Sequence, residues 1–172
     1  MIKYQIGAVL SASVAYANLK VGVISDLHTN TAYIPNGTVD SNCSTSSNGI
    51  DYDDTKAPIA KFGCDPSHTL VDHMLRRFTE AFGEVDFILL TGDHVAHGVA
   101  PKHGKAKEGD SDKLKANIEA TFAIVQKHFS DTLVLPCVGN NDGWHSQAPD
   151  EKQKAGYYGY LYDLWITKHN GN

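Results

Sequence analysis

Residues 85–97 read Val-Asp-Phe-Ile-Leu-Leu-Thr-Gly-Asp-His-Val-Ala-His, and this stretch decides the fold. Its first seven residues form an apolar run of the length of a buried strand, and polar residues follow at once. The same junction recurs where residues 19–25 lead into Asp26-Leu27-His28 and where residues 132–138 lead into Gly139-Asn140-Asn141-Asp142. Because open α/β sheets bind ligands in the loops at the carboxyl ends of their strands, the three junctions predict one site rich in oxygen and imidazole donors.

Amphipathic helices are predicted between these strands. Ser67 is a suitable N-cap for a helix over residues 69–82, and Gly83 ends it. The apolar face of this first helix is expected to carry Leu70, Met74, Leu75, Phe78 and Phe82. A second helix is predicted over residues 112–129, with an apolar face of Leu114, Ile118, Phe122, Val125 and Phe129. Residues 157–165 are aromatic, are predicted to be helical and are expected to pack into the core.

The alternation of strands and helices predicts an α/β fold, layered and built of βαβ units with mostly parallel strands and flanking helices. The 172 residues are enough for one domain. A net charge of -5 argues against specific nucleic-acid binding, and nine histidines favour a metal site. Residues 29–65 form a long polar loop, and a loop of that length in a compact domain is usually functional or tied by a disulfide.

The first 17 residues have the features of a secretory signal peptide. A lysine precedes the short apolar run of residues 6–14, and Ala15-Tyr16-Ala17 offers small residues where a signal peptidase cleaves. A membrane anchor or an ordinary first strand are the alternatives, but the run is too short to span a bilayer. We therefore expect cleavage after Ala17, no transmembrane segment and a mature chain that begins at Asn18.

Glycosylation sequons and cysteines agree with export. Asn36-Gly37-Thr38 and Asn42-Cys43-Ser44 are both sequons, so Asn36 and Asn42 are candidate glycan acceptors. In an oxidising compartment Cys43 and Cys64 can close the long polar loop, and the alternative is that all three cysteines are free. Cys137 lies in an apolar run and is expected to be a buried thiol.

The side chains at the three junctions suit a divalent cation. Asp26 and His28 alternate along a predicted strand end, so both are expected to point the same way, and a carboxylate with an imidazole suits zinc, iron or manganese. The carboxylate of Asp93 can bridge two cations, and Asn140 can add a neutral carbonyl oxygen. Taken singly, each motif is equally typical of a polar turn, but the three together favour a metal site.

Three more polar residues lie at the same junctions. His97 follows Asp93 by four residues and can donate a proton to a leaving oxygen, although a surface histidine is the alternative. His94 and His103 are expected to be surface histidines. Asp142 is expected to hold neighbouring groups by accepting hydrogen bonds.

With these motifs the chain resembles the calcineurin-like metallophosphoesterase superfamily, whose pattern runs D-x-H, G-D, G-N-(H/N)-(D/E), a lone His and G-H-x-H. Residues 26–28, 92–93 and 139–140 match the first three blocks. Gly92-Asp93 followed by His97 is similar to the G-D-x-x-x-H of acid sphingomyelinase-like phosphodiesterases and vacuolar endopolyphosphatases. Phe62-Gly63-Cys64-Asp65 is similar to the Y-G-x-C-D segment of that branch. Gly139-Asn140-Asn141-Asp142 is more similar to the endopolyphosphatase-like and protist members of the branch.

The resemblance implies a metal-dependent phosphoric ester hydrolase, of phosphodiesterase or polyphosphatase type, in which a hydroxide shared by two metal ions attacks phosphorus. Asp26, His28 and Asp93 would hold one ion, and Asp93 with Asn140 would belong to the second. The ions would be zinc, with iron or manganese as alternatives, and the substrate a phosphoester or polyphosphate. His97 would protonate the leaving group, and Asn141 stands where many relatives have a catalytic histidine. Cys43 would be the disulfide partner of Cys64, and the protein would be secreted or lysosomal/vacuolar.

The chain also departs from the family pattern. After Asn140 only His145 and His169 remain, and neither lies in a G-H-x-H motif. Residues 18–172 are therefore expected to be the N-terminal part of a calcineurin-like phosphoesterase domain, that is, an incomplete domain. Two alternatives stay open, which are an inactive secreted remnant or binding domain of the same fold, and a structural, disulfide-tied glycoprotein.

Overall fold

A computed structural model of the chain describes residues 18–45, 57–100, 110–144 and 151–170. The predicted signal peptide, residues 1–17, lies outside the described residues, and so do His103 and His145.

The described residues form a parallel sheet of three strands in the order β1 (Val21–Ile24), β2 (Phe87–Leu90) and β3 (Leu133–Pro136). Val21 is opposite Phe87, which in turn is opposite Leu133, so the three strands end at the same level of the sheet. Three α-helices accompany them, which are α1 (His68–Phe82), α2 (Asp110–His128) and α3 (Glu151–Tyr162). The predicted α/β fold with parallel strands and flanking helices is confirmed, and each strand is shorter than predicted.

One face of the sheet is buried against the helices. Ile24, Ile88, Leu90 and Val134 belong to a single core cluster with apolar residues of all three helices. Side chains alternate along a strand, so the residues next to these in each strand point to the opposite face of the sheet. On that opposite face Val23 is 60% exposed, and Leu133 and Leu135 are exposed too. In the part of the chain that the structure describes, the helices therefore cover only one face of the sheet.

Cys137 is exposed, so the prediction of a buried thiol is wrong. Its N–H donates to the Leu90 carbonyl (2.9 Å), so the backbone still follows the sheet just past β3. The period of two along a strand then places Cys137 on the same face as Leu133 and Leu135, which is the uncovered one. An apolar neighbourhood in the sequence was therefore not enough to bury this side chain.

Helix α1 begins and ends as predicted, but its buried face is rotated. The Ser67 side chain accepts from the Leu70 N–H (3.3 Å), and the Gly83 N–H donates to the Thr79 carbonyl. Val71 and Leu75 are buried, whereas the predicted face residues Met74 and Phe82 are exposed. The core-facing stripe follows the spacing i, i+4, i+7 from Val71 and passes beside Met74.

Helix α2 and the C-terminal segment agree with the sequence. All five residues predicted for the apolar face of α2 are buried. Helix α3 continues as a π-helical segment, Asp163–Asn170. Trp165 of that segment stacks on Phe122 at 5.5 Å between ring centroids, and Tyr157 is buried as well. The predicted aromatic packing is therefore confirmed for these two side chains, whereas Tyr158 and Tyr162 are exposed. Helices α1 and α2 are further joined where Asp72 accepts from Lys127 (2.7 Å) and from His128 (2.8 Å).

A disulfide joins Cys43 to Cys64 across the long polar loop, with their Cα atoms 5.8 Å apart. The pairing that the resemblance implied is therefore present. A crosslink over a loop of this size stabilises a fold by ~3 kcal/mol, because it restricts the unfolded chain. Among the described residues, no helix has both the length and the apolar content that a bilayer-spanning segment needs.

Buried histidines make the stability of this fold depend on pH. Burial lowers the pKa of His169, whose ring packs against Phe122, and the pKa of His68 and His94 is lowered by burial in the same way. Below pH ~6.5 the unfolded chain binds protons that the folded chain does not, so stability is full above that pH and is lost as the pH falls.

We therefore expect urea unfolding to give a lower free energy of unfolding at pH 5.5 than at pH 7.5. Each such histidine contributes up to about 1.4 kcal/mol per pH unit. His169→Gln should make this pH dependence shallower, whereas His73→Gln, at an exposed position of α1, should leave it unchanged. An equally steep dependence in His169→Gln would contradict the prediction.

Candidate metal centre

The loop after β2 and the loop after β3 touch through two glycines. A Cβ atom on Gly92 would lie 2.4 Å from the Gly139 nitrogen, and one on Gly139 would lie 2.2 Å from the Asp93 nitrogen. Neither position has room for a side chain, and Gly92 also has a φ of 101°, which disfavours other residues. This close approach brings Asp93 directly against the Gly139-Asn140-Asn141-Asp142 loop.

Backbone hydrogen bonds fix the loop after β1 to the loop after β2. The His28 N–H donates to the Asp93 carbonyl (2.9 Å), and the Asp26 N–H donates to the Gly92 carbonyl (3.2 Å). Asp26, His28 and Asp93 have φ values of 55°, 39° and 53°, in the left-handed region that side chains rarely adopt. The prediction that Asp26 and His28 align by extended-strand alternation is therefore wrong. β1 already ends at Ile24, and turns bring the two side chains together.

Three of the predicted ligands converge. His28 Nε2 lies 3.6 Å from Asp26 Oδ1 and 3.7 Å from Asp93 Oδ2. His28 Nδ1 lies 3.1 Å from the Val95 carbonyl, which can only accept, so Nδ1 carries the proton and Nε2 presents a lone pair to the two carboxylates. These contacts are too long for hydrogen bonds, and the three side chains form a group that could hold a metal ion.

The spacing of these atoms fits a metal ion. Two ligand atoms at about 2.1 Å from a tetrahedral zinc ion are about 3.4 Å apart, close to the observed separations. Asp93 is buried and Asp26 has a side chain 63% exposed, so the group opens to solvent on one side. The donor set of one imidazole and two carboxylates therefore fits zinc, iron or manganese.

Asp93 is held from the loop after β3. Its Oδ1 accepts the Asn141 N–H at 2.7 Å, which leaves Oδ2 to face His28. Asn140 lies between Gly139 and Asn141, both of which contact Asp93, and Asn140 itself is exposed. Its role as a ligand stays a prediction, and so does the bridging by Asp93.

Asp142 organises the backbone of the site, as predicted. Its fully buried carboxylate accepts from the backbone N–H groups of His94 (2.7 Å), Val95 (3.0 Å) and Gly139 (2.9 Å). The Tyr157 hydroxyl in turn donates to the Asp142 carbonyl. The β2 and β3 loops are therefore fixed to each other and to α3 through this one residue.

His94 is buried, so the prediction of a surface histidine is wrong for it. Its ring packs edge-on against Phe122 and Trp165, and its Nε2–H donates to the Cys137 carbonyl (3.0 Å). Burial lowers the pKa of His94, although Asp142 nearby opposes the shift. The residue next to Asp93 is thus a neutral core side chain, because the chain turns inward immediately after Asp93.

His97 lies beside the ligand group. Its ring stacks on His28 at 4.3 Å between centroids, and 62% of its side chain is exposed. Its Nδ1 lies 2.9 Å from Asp65 Oδ1, and ligand atoms of His28, Asp65 and His97 form a second possible metal group with all distances within 4.8 Å. Sequence reasoning missed Asp65 as a site residue. The available signal was its position next to Cys64, which the disulfide brings to the site.

Comparison with known proteins agrees with this geometry. The family model described as calcineurin-like phosphoesterase matches residues 19–171. The chain belongs to the calcineurin-like phosphoesterase family. This family includes phosphoester hydrolases, and the fold and the three junction motifs of the chain are those of a member.

Several characterised relatives of this calcineurin-like phosphoesterase are similar at low identity. Sphingomyelinase phosphodiesterase D of Dictyostelium discoideum is 26% identical over 64% of the chain and 23% of its own length. An endopolyphosphatase of Saccharomyces cerevisiae is 28% identical over 69% of the chain and 19% of its own length. A cyclic GMP-AMP phosphodiesterase of Bos taurus is 29% identical over 83% of the chain and 30% of its own length. The chain therefore spans between about a fifth and a third of the length of these relatives.

The Gly139 contact gives a direct test of the site. We expect Gly139→Ala to displace Asp93 and to lower the free energy of unfolding by about 1–3 kcal/mol, because the new methyl group overlaps the Asp93 backbone and carboxylate. Gly156→Ala is the matched control, since a Cβ there meets nothing within 4 Å and alanine favours the α3 helix. Urea unfolding of both variants measures the difference, and equal stability of the two would contradict the close approach.

Proposed function

We propose that this chain of the calcineurin-like phosphoesterase family carries part of the metal site of a phosphodiesterase or polyphosphatase. The observation that carries the proposal is the convergence of His28 Nε2 with one oxygen each of Asp26 and Asp93 at 3.6 and 3.7 Å. One imidazole and two carboxylates within reach of a common point are a donor set that suits a divalent cation, which supports the proposal.

Asp26, His28 and Asp93 would hold one divalent ion, and Asp93 with Asn140 would take part in holding a second. Zinc is the first choice, and iron or manganese suit the same ligands. When bound, such a pair of ions supplies an activated water and stabilises the negative charge on the phosphoryl oxygens. The protein holds its part of the site rigid through Asp142, whose carboxylate fixes the backbone on both sides.

His97 would act as the general acid. Hydrolysis forms a new bond from a water oxygen to phosphorus and breaks the bond to the leaving oxygen, which must then gain a proton. The Nδ1–H of His97 donates to Asp65, so Nε2 is the atom left to carry that proton. Its 62% exposure gives a leaving group access to it, and its stacking on His28 keeps it beside the ligand group.

The substrate class follows from the relatives, whose names include sphingomyelinase phosphodiesterase, endopolyphosphatase and cyclic GMP-AMP phosphodiesterase. We propose a phosphodiester or polyphosphate substrate. The signal-like residues 1–17 and the disulfide support a secreted or lysosomal/vacuolar protein, because disulfides persist in oxidising compartments.

A non-catalytic remnant of the same fold is the second candidate. The observation that favours it is the open side of the ligand group, since the Asp26 side chain is 63% exposed. Sequencing the transcript beyond Asn172 separates the candidates. A lone His and a G-H-x-H motif downstream support the enzyme, whereas a stop codon together with a chain that binds no metal supports the remnant.

The metal site is tested by binding. We expect the purified chain to bind Zn²⁺ or Mn²⁺ in calorimetry and elemental analysis, and Asp93→Asn to weaken that binding by at least the ~10-fold typical of a site that loses a charged partner. Asp131→Asn is the control, because Asp131 is exposed and precedes β3, at the end of the strand away from the three loops. Unchanged metal content in Asp93→Asn would instead support a purely structural glycoprotein.

The catalytic role is tested by hydrolysis. With metal added, we expect cleavage of bis(p-nitrophenyl) phosphate or polyphosphate, abolished by a chelator. On a phosphodiester with an alkyl leaving group, which needs a proton, His97→Ala should reduce kcat/KM by roughly 10²–10⁴, as for the loss of a general acid. His73→Ala, exposed on α1, should retain full activity. Full activity in His97→Ala would remove His97 from the mechanism.

A further inference from the structure

Asp65 binds His97 through both its ring and its backbone. The Nδ1–H of His97 lies 2.9 Å from Asp65 Oδ1, and the His97 backbone N–H lies 2.6 Å from Oδ2. The Asp65 side chain is only 13% exposed, whereas that of His97 is 62% exposed. A shielded carboxylate that bonds two atoms of an exposed residue fixes the position of that residue and the tautomer of its ring.

Asn42 holds Asp65 in turn. The Asn42 Nδ2 donates to Asp65 Oδ2 at 2.6 Å, and the Asp65 N–H donates to Asn42 Oδ1, also at 2.6 Å. The second Nδ2 hydrogen is directed to the His97 carbonyl at 3.4 Å. The amide of Asn42 therefore has both of its polar atoms engaged with the Asp65–His97 pair.

The disulfide and Asn30 lock this pair to the site. Asn42 precedes Cys43 and Asp65 follows Cys64, so the disulfide joins the neighbours of the two hydrogen-bonded residues. The buried Asn30, two residues after His28, donates from Nδ2 to the Asn42 carbonyl at 2.6 Å. The long polar loop thus contributes directly to the position of His97.

We propose that Asp65 is the positioning residue of His97, and that Asn42 holds Asp65 rather than carrying a glycan. An N-linked sugar would replace one of the two Nδ2 hydrogens, and the half-buried amide has no unengaged one. Asn36, in the other sequon, is exposed and is the position where a glycan is expected. The assignment to catalysis rests on the proposed role of His97 as general acid.

The tautomer of His97 tests the positioning role without any activity measurement. In the metal-free chain at pH 8.5, ¹⁵N-histidine NMR should find the His97 proton on Nδ1, and Asp65→Ala should move it to Nε2. Asp40→Ala, exposed in the same loop, should keep the wild-type tautomer. A His97 proton on Nε2 in the wild type, or the same tautomer in Asp65→Ala, would overturn the proposal.

Kinetics provide a second test with the isosteric variant Asp65→Asn. A phosphodiester with an alkyl leaving group needs a proton from the enzyme, whereas p-nitrophenolate leaves without one. We expect Asp65→Asn to lower kcat/KM at least tenfold more for the alkyl substrate, and to have no further effect in a His97→Ala background. Equal losses on both substrates would overturn the positioning role. Loss of bound metal in Asp65→Asn would also overturn it, because Asp65 would then be a ligand.

Ser44→Ala separates the two roles of Asn42. This change destroys the sequon and leaves the Asn42 amide in place. After expression in a secretory eukaryotic host, peptide mass analysis should find glycan on Asn36 and none on Asn42. Ser44→Ala should keep the Nδ1–H tautomer of His97, and Asn42→Ala should lose it. A glycan on Asn42, or a wild-type tautomer in Asn42→Ala, would overturn the assignment. A wholly inactive chain with the expected tautomers would leave the positioning role standing and reject the catalytic one.

Discussion

The direct backbone contact between Gly92 and Gly139 is the constraint on which the rest of the site depends. With no side chain at either position, the loops after β2 and β3 approach until Gly139 lies against Asp93. Asp142 then closes the same junction by accepting backbone N–H groups from both loops. Asp93 is consequently held in a left-handed conformation with one oxygen facing His28. Strained backbone is maintained only where surrounding contacts enforce it, and here glycine packing and a buried carboxylate do so.

The long polar loop acts as a second support for the same site. Its disulfide brings Asn42 and Asp65 together, and Asp65 holds His97, whose ring stacks on His28 of the candidate metal centre. Loops of this length are usually either functional or disulfide-tied, and this one carries the Cys43–Cys64 disulfide. The candidate metal centre is therefore fixed from two sides. The contact between Gly92 and Gly139 positions Asp93, and the long polar loop positions His97.

The sheet presents an apolar face that the described residues leave uncovered. Parallel sheets are normally covered on both faces, and the sequence of each strand is apolar at nearly every position, as such burial requires. Val23, Leu135 and Cys137 lie on that face, which explains why an apolar segment carries an exposed thiol. The metal group is open in a similar way at Asp26. Both features lie in a chain that spans less than a third of the length of the three relatives compared.

Local pattern by itself determined the α/β order, the helix caps and the buried face of α2, because hydrophobic period and capping chemistry are properties of short segments. It also predicted three residues that converge at the candidate metal centre, Asp26, His28 and Asp93, since glycine and acidic residues after apolar strands are typical of a ligand loop. Tertiary structure decided the burial of His94, the exposure of Cys137, the rotation of α1 and the part played by Asp65. Each of these depends on which distant segment of the chain covers a given side chain. The packing of the sheet and helix layers decides that, and the neighbouring residues in the sequence do not.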